Sequence, residues 1–98
     1  MDTVTITRHG SATKGEYHAH ITDSRAIGRL TWKTRGTARV ADHTLVPPEI
    51  GGRGVALRLV EALVEDARQH GFKIIPECSY VAAAFQRHPD WTDLLAAD

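Results

Sequence analysis

Long apolar runs are missing from this 98-residue chain, and so is an excess of charge of either sign. No stretch approaches the roughly 18 consecutive apolar residues of a membrane-spanning helix, so no membrane partner is expected. Asp2, Arg8, Lys14 and Glu16 interrupt the start of the chain and leave no apolar signal-peptide core. Twelve Lys and Arg balance twelve Asp and Glu, which removes the overall field that recruits nucleic acid or an anionic membrane. A single cysteine, Cys78, excludes an internal disulfide and agrees with a reducing compartment, so a cytoplasmic setting is expected. Repeats, linkers and low-complexity tracts are missing too. What is there is ordinary: 42% apolar and 24% charged residues, close to the globular average. The length fits a single domain, residues 1–98, with one core and no room for a second.

The first half reads as strands. Val4–His9 alternates apolar Val4 and Ile6 with Thr5 and Thr7, and a turn cluster follows from Gly10 to Gly15. Glu16–Ile21, Ala26–Thr34 and Thr37–Val46 continue the pattern, separated by Thr22-Asp23-Ser24 and Arg35-Gly36. Turns this short favour antiparallel pairing. From Val55 the period changes. Ala56, Leu59, Val60, Leu63, Val64 and Ala67 mark one face of a helix over Val55–His70, with Gly71 placed to end it. Phe72–Glu77 is a short strand. Ser79 is expected to cap a second helix over Tyr80–Arg87, halted near Pro89. The acidic tail Asp90–Asp98 offers Trp91, Leu94 and Leu95 for packing, and with Phe85 they form either core or a dimer surface. Strand 37–46, helix 55–70 and strand 72–77 make a βαβ unit, whose strands are parallel.

The stretch that carries chemistry is Val46-Pro47-Pro48-Glu49-Ile50-Gly51-Gly52-Arg53-Gly54-Val55-Ala56. It leaves a strand and opens a helix. Unpaired amides and the helix dipole make such a place an anion site, most often for phosphate. Glycines 51, 52 and 54 let backbone approach a phosphate, and Arg53 adds a charge-assisted contact. A P-loop is excluded, because Gly-Lys-Ser/Thr is not present; a dinucleotide fingerprint is excluded, because Leu57 stands where a small third residue is required. The alternative is a flexible helix start with no ligand.

His43-Thr44-Leu45-Val46-Pro47-Pro48-Glu49, Gly52-Arg53-Gly54-Val55-Ala56, Leu59-Val60, Ile75-Pro76, Cys78-Ser79-Tyr80-Val81 and Arg87-His88-Pro89 together resemble the small GNAT (GCN5-related N-acetyltransferase) proteins of the YjdJ-like branch. The resemblance covers roughly positions 16 to 95. It implies a minimal fold of the α+β or α/β type: a mixed five-stranded sheet with four antiparallel strands, strands 4 and 5 parallel and splayed, and two main helices. It also implies acetyl-CoA, or coenzyme A, in the wedge, and transfer of an acetyl group to an amine acceptor that sequence does not identify. The cofactor-binding residues it implies are Leu45, Val46, Gly51, Gly52, Arg53, Gly54, Val55, Ala56 and Ser79. The family loop reads Gln/Arg-x-x-Gly-x-Gly/Ala; Gly54 and Ala56 match its last two fixed positions, while Gly51 stands where the basic or amide residue belongs. A non-catalytic acetyl-CoA-binding or interaction module on the same scaffold is the rival reading.

Two residues are candidates for catalysis. Cys78 directly follows the last strand, at the end of the sheet where ligands of open α/β folds sit, and at a helix start that lowers thiol pKa. It is either a participant in acyl transfer or a small buried hydrophobe. His43, late on the fourth strand, is either a general base or a hydrogen-bonded strand histidine; Glu49 is the next base candidate. His18 and His20 lie two apart on one strand face, but two ligands are a poor zinc signal and no metal is expected. Arg25, Arg29, Lys33, Arg35 and Arg39 form a basic series that reads as a solvated face, or as a receptor for the 3′-phosphate of coenzyme A or an acidic partner. It lacks an aromatic stacking platform beyond Trp32, so no nucleic acid is expected. A monomer or weak homodimer is expected.

Overall fold

The alternating first half folds, in a computed structural model describing residues 3–96, into four antiparallel strands. They are β1 (Val4–Gly10), β2 (Lys14–Ile21), β3 (Ile27–Arg35) and β4 (Ala38–Leu45). Then come helix α1 (Val55–His70), strand β5 (Lys73–Pro76) and helix α2 (Ser79–Arg87), with 3-10 turns at Pro48–Ile50 and Pro89–Leu94. The sheet runs β1-β2-β3-β4-β5; β5 is parallel to β4 and every other pairing is antiparallel. This is the mixed five-stranded arrangement expected from the sequence.

Several expectations need correction. The turn cluster expected over Gly10–Gly15 is narrower, because β1 runs on to Gly10, β2 starts at Lys14 and Gly10 pairs with Gly15; the strand expected over Ala26–Thr34 lies one residue later, at Ile27–Arg35. Strands 37–46 and 72–77 are each one residue shorter at both ends; at the end of β5 the Glu77 N–H turns back to the Ile75 carbonyl at 3.0 Å. Ser79 does not cap α2: it is the first helical residue, and the extended cap position belongs to Cys78. The acidic tail is partly regular. Residues 89–94 wind as a 3-10 turn that buries Trp91 and Leu94, and the Ala96 N–H then bonds the Ile74 carbonyl at 2.9 Å. Its last two residues, Ala97 and Asp98, lie outside the described ones.

One face of the sheet takes α1. Tyr17, Ala19 and Ile21 of β2 and Leu30 and Trp32 of β3 meet Val55, Leu59, Val60, Leu63, Val64 and Ala67 on a single helical stripe. Gly28 fixes how close the start of α1 comes to β3. A Cβ there would lie 2.9 Å from Val55 Cγ1 and 3.5 Å from Leu59 Cδ1, so the helix rests where a side chain would otherwise stand.

Asp66 is the exception on the buried stripe, a carboxylate 7% exposed. It accepts from Arg8 Nε at 2.9 and 3.1 Å and from the Tyr17 hydroxyl at 2.8 Å. Arg39 donates to the same hydroxyl at 3.0 Å while its guanidinium lies between the rings of Trp32 and Phe72. The network thus ties α1 to β1, β2 and β4. Burial pushes the Asp66 carboxyl up, but the hydrogen bonds from Arg8 and Tyr17 outweigh it and hold it below the usual carboxylate range. Burial, with the bond to Asp66, pushes the Tyr17 phenol well above its ordinary value, so it stays a donor.

A carboxyl whose folded pKa is depressed stabilises the fold above its unfolded value, about 3.9, and loses that contribution as pH falls through the folded value. Replacing Asp66 with Ala is expected to cost about 2–3 kcal/mol in urea unfolding at neutral pH. The deficit relative to the native chain is expected to shrink below about pH 4. An unfolding midpoint indifferent to this substitution at pH 7 would refute the role given to the network.

Candidate cofactor and acyl-transfer site

The site begins where β4 and β5 part. Their parallel pairing runs from Ala38 opposite Lys73 to Ala41 opposite Pro76 and stops. At the same point β4 bulges on its other side: Trp32 pairs with Ala41 and Thr31 with His43, leaving Asp42 unmatched. A bulge bends a strand and increases its twist. The Thr31 hydroxyl donates to the Asp42 carboxylate and fixes the extra residue. The Cys78 N–H reaches back to the Ala41 carbonyl at 2.8 Å, the last link before the two chains separate. From Asp42 to Leu45, β4 has no strand beside it on the β5 side. Leu45 at its end is 53% exposed, which is high for a leucine and leaves an apolar wall at the mouth of the fork.

The glycine-rich stretch bounds the fork next. Pro48–Ile50 forms a 3-10 turn pinned by Ile50, which is fully buried. The chain is then extended at Gly51 and left-handed at Gly52 (φ 77°) and Gly54 (φ 73°) before α1 begins at Val55. These two positive φ angles are a direct use of glycine. A Cβ at Gly52 or Gly54 would meet nothing within 4 Å, so space opens over the backbone there. No side chain caps α1 and no acidic residue sits in its first turn. The positive end of a 16-residue helix therefore faces outward with its first amides free of a side-chain cap. Gly51, Gly52, Arg53 and Gly54 are exposed, Val55 is buried under the helix start and Ala56 is half-buried.

Cys78 sits at the other wall. Its Sγ is 3.4 Å from Thr44 Oγ1, so the thiol bridges the fork to the free part of β4. Burial pushes the thiol up, but its hydrogen bonding with Thr44 and with the backbone of Val81 and Tyr80 outweighs that and holds it below the ordinary cysteine value. Ser79 and Tyr80, next in the chain, are exposed. Between the helices a cavity of about 190 Å³ is lined by Leu57 of α1 and by Tyr80, Ala83, Ala84, Arg87 and His88. It joins the helix that starts at the glycine turn to the helix that starts at Cys78.

The sequence candidates do not all converge. Leu45 ends β4, residues 51–54 form the turn before α1, and Cys78, which touches Thr44, leads with Ser79 into α2. His43 pairs with Thr31, and Thr44 pairs with Leu30 of the buried face, so the His43 side chain lies on the opposite face of the sheet from the Thr44–Cys78 contact. Glu49 is exposed in the 3-10 turn. The basic series does not form one solvated face: Arg39 is drawn into the core network, Arg35 pairs with Glu77 at 3.6 Å, and Arg29 and Lys33 belong to the open face of the sheet. Sequence reasoning missed Thr44 as the thiol's partner, the bulge at Asp42, and Tyr80, Arg87 and His88 as a cavity wall. A polar residue two places before Val46 was a signal for Thr44; nothing in the periodicity marks a bulge.

Residues 16–94 match a family profile described as GCN5-related N-acetyl-transferase. The fold is also similar to one solved by NMR in solution, that of a GCN5-like protein from Staphylococcus aureus which is itself a candidate N-acetyltransferase. The TM-score is 0.68 at 26% identity, over 94% of this chain and 89% of the other. The profile spans most of the chain: this chain belongs to the GCN5-related N-acetyltransferase family.

Proposed function

We propose that residues 1–98 act as a single acetyltransferase domain that takes acetyl-CoA as co-substrate and transfers its acetyl group to an amine. The observation that carries this reading is the fork itself: a strand edge free from Asp42 to Leu45, an uncapped helix start on one side and a hydrogen-bonded thiol on the other. The Gly51 N–H is taken by the Pro48 carbonyl at 3.1 Å, so the amides from Gly52 through Ala56, with the Arg53 guanidinium, receive the diphosphate. The backbone of Leu45 and Val46 pairs with the amides of the pantetheine arm. Ser79 flanks the thioester end. The shared run from His43 to Glu49 and the Cys78–Val81 segment favour the compact YjdJ-like branch of the family.

Cys78 is the residue we assign to acyl capture. Donors from Thr44, Tyr80 and Val81 stabilise its thiolate, which attacks the thioester carbonyl carbon. The carbon–sulfur bond to coenzyme A breaks, and coenzyme A leaves as a thiolate that is then protonated. The acceptor amine next attacks the acetyl-Cys78 carbonyl; the new carbon–nitrogen bond forms as the Cys78 sulfur leaves as thiolate. His43, the base expected from the sequence, lies on the opposite face of β4 from Cys78 and is not paired with the thiol, so the proton of the attacking amine passes to water at the exposed fork. The binding-module reading has one observation in its favour, the glycine at position 51 where the family loop has a basic or amide side chain.

Three measurements test this. Acetyl-CoA and coenzyme A are expected to raise the melting temperature, and Gly52→Asp, which sets a carboxylate beside the anion site, is expected to weaken binding at least about 10-fold, or 1.4 kcal/mol. Intact-mass analysis after incubation with acetyl-CoA is expected to show one acetyl group on the native chain and none on Cys78→Ala. The labelling rate is expected to fall as pH drops through a thiol pKa lower than that of an ordinary cysteine, because only the thiolate attacks. No thermal shift with either ligand rejects both readings. Undiminished transfer to an amine panel by Cys78→Ala rejects the covalent step alone, and tight binding without release of coenzyme A supports the module.

A further inference from the structure

The open face of the sheet, away from α1, carries a second cluster of chemistry that acyl transfer does not use. The register of β1 and β2 places His9 opposite Glu16 and Thr7 opposite His18, with His20 two residues further on the same face. His18 and His20 alone gave no reason to expect a metal; the β1 strand adds the third ligand. Their ring centroids lie 4.1 Å apart for His9 and His18 and 6.3 Å apart for His18 and His20. One ligand nitrogen from each of the three falls within 4.8 Å of the others.

We propose that His9, His18 and His20 bind a divalent transition-metal ion of the zinc class. Three imidazoles are a donor set suited to Zn²⁺, which takes nitrogen at about 2.0–2.1 Å in a tetrahedral shell, and this requires ring nitrogens roughly 3.3 Å apart. Small rotations about the χ angles of exposed or half-exposed side chains bring the present spacing to that value. The cluster already has the outer partners such a site uses. Glu16 Oε1 lies 2.8 Å from His18 Nε2, an arrangement that orients the ring and leaves Nδ1 to the ion. The Thr7 hydroxyl lies 2.8 Å from His9 Nε2 and 2.9 Å from His20 Nε2, so it draws both rings to one point. Arg29, 3.8 Å from the same Glu16 oxygen, competes for that carboxylate and makes it an orienting group rather than a fourth ligand. The fourth position opens to the adjacent groove of about 710 Å³, which water can enter. Because one ligand comes from the edge strand β1 and two from β2, the ion clips the edge of the sheet.

The test uses the tag-free full chain with ZnCl₂ and with CoCl₂. Binding is expected to raise the melting temperature in step with ion concentration and to saturate at one ion per chain. Bound Co²⁺ is expected to show the intense visible absorption of tetrahedral coordination. Ala at His9, His18 or His20 is each expected to weaken binding at least about 10-fold, while His88→Ala, on the cavity between α1 and α2, leaves it unchanged. Gln at the same positions serves where an Ala variant loses its native circular dichroism. Absence of uptake by the native chain, or affinity that survives loss of any one of the three histidines, overturns the proposal. Equal loss in His88→Ala does the same.

Discussion

The short parallel contact between β4 and β5 governs the molecule. Four residue pairs hold the two strands together, and the contact ends at Ala41 and Pro76. Ordinary sheet continuation would satisfy the backbone of Asp42 to Leu45; the bulge and the Cys78–Ala41 hydrogen bond prevent it. Both are backbone events at one point, and each reinforces the other. The bulge turns β4 away, and the early turn at Glu77 sends the chain after β5 into α2 rather than further along β4. The uncapped start of α1 and the thiol before α2 both adjoin the fork, because α1 follows β4 and α2 follows β5 in the chain.

A scaffold this small needs rigidity near that opening, and it comes from two unlike contacts. Gly28 lets Val55 sit against β3, which sets the depth of the helix that follows the glycine turn. Asp66, about three turns further along the same helix, ties it to Arg8 and Tyr17 and through them to Arg39. One contact works by leaving out a side chain and the other by burying a charge with enough donors around it. A buried carboxylate without those donors is costly, so the network is all or nothing in its effect on the position of α1.

Periodicity made the elements legible. The helix from Val55 to His70 shows a 3.6-residue apolar repeat closed by Gly71, and it is found with those bounds. The glycine cluster was legible because three glycines between a strand and a helix have few other uses. The site's inner geometry was not. A bulge adds one residue to one strand and leaves the alternation on both sides intact, so Asp42 looks like any strand residue. Cys78 was marked by its place after a strand, yet its bond to Thr44 depends on how far the strands splay. Asp66 projects onto the apolar stripe between Val55 and Leu59, but the partners that satisfy a buried carboxylate there lie in β1 and β2, far away in sequence. His9 looked like the polar end of a strand; only the register sets it beside His18.

The free margin of β4 has a consequence for handling the protein. An unpaired strand edge with an exposed leucine at its tip is a template for any extended chain, including that of a neighbouring molecule. Neither proline nor lysine interrupts β4 between Asp42 and Leu45 to discourage such docking. Whatever occupies the fork also shields it from self-association, so the ligand-free form is the one in which crowding at high concentration matters most.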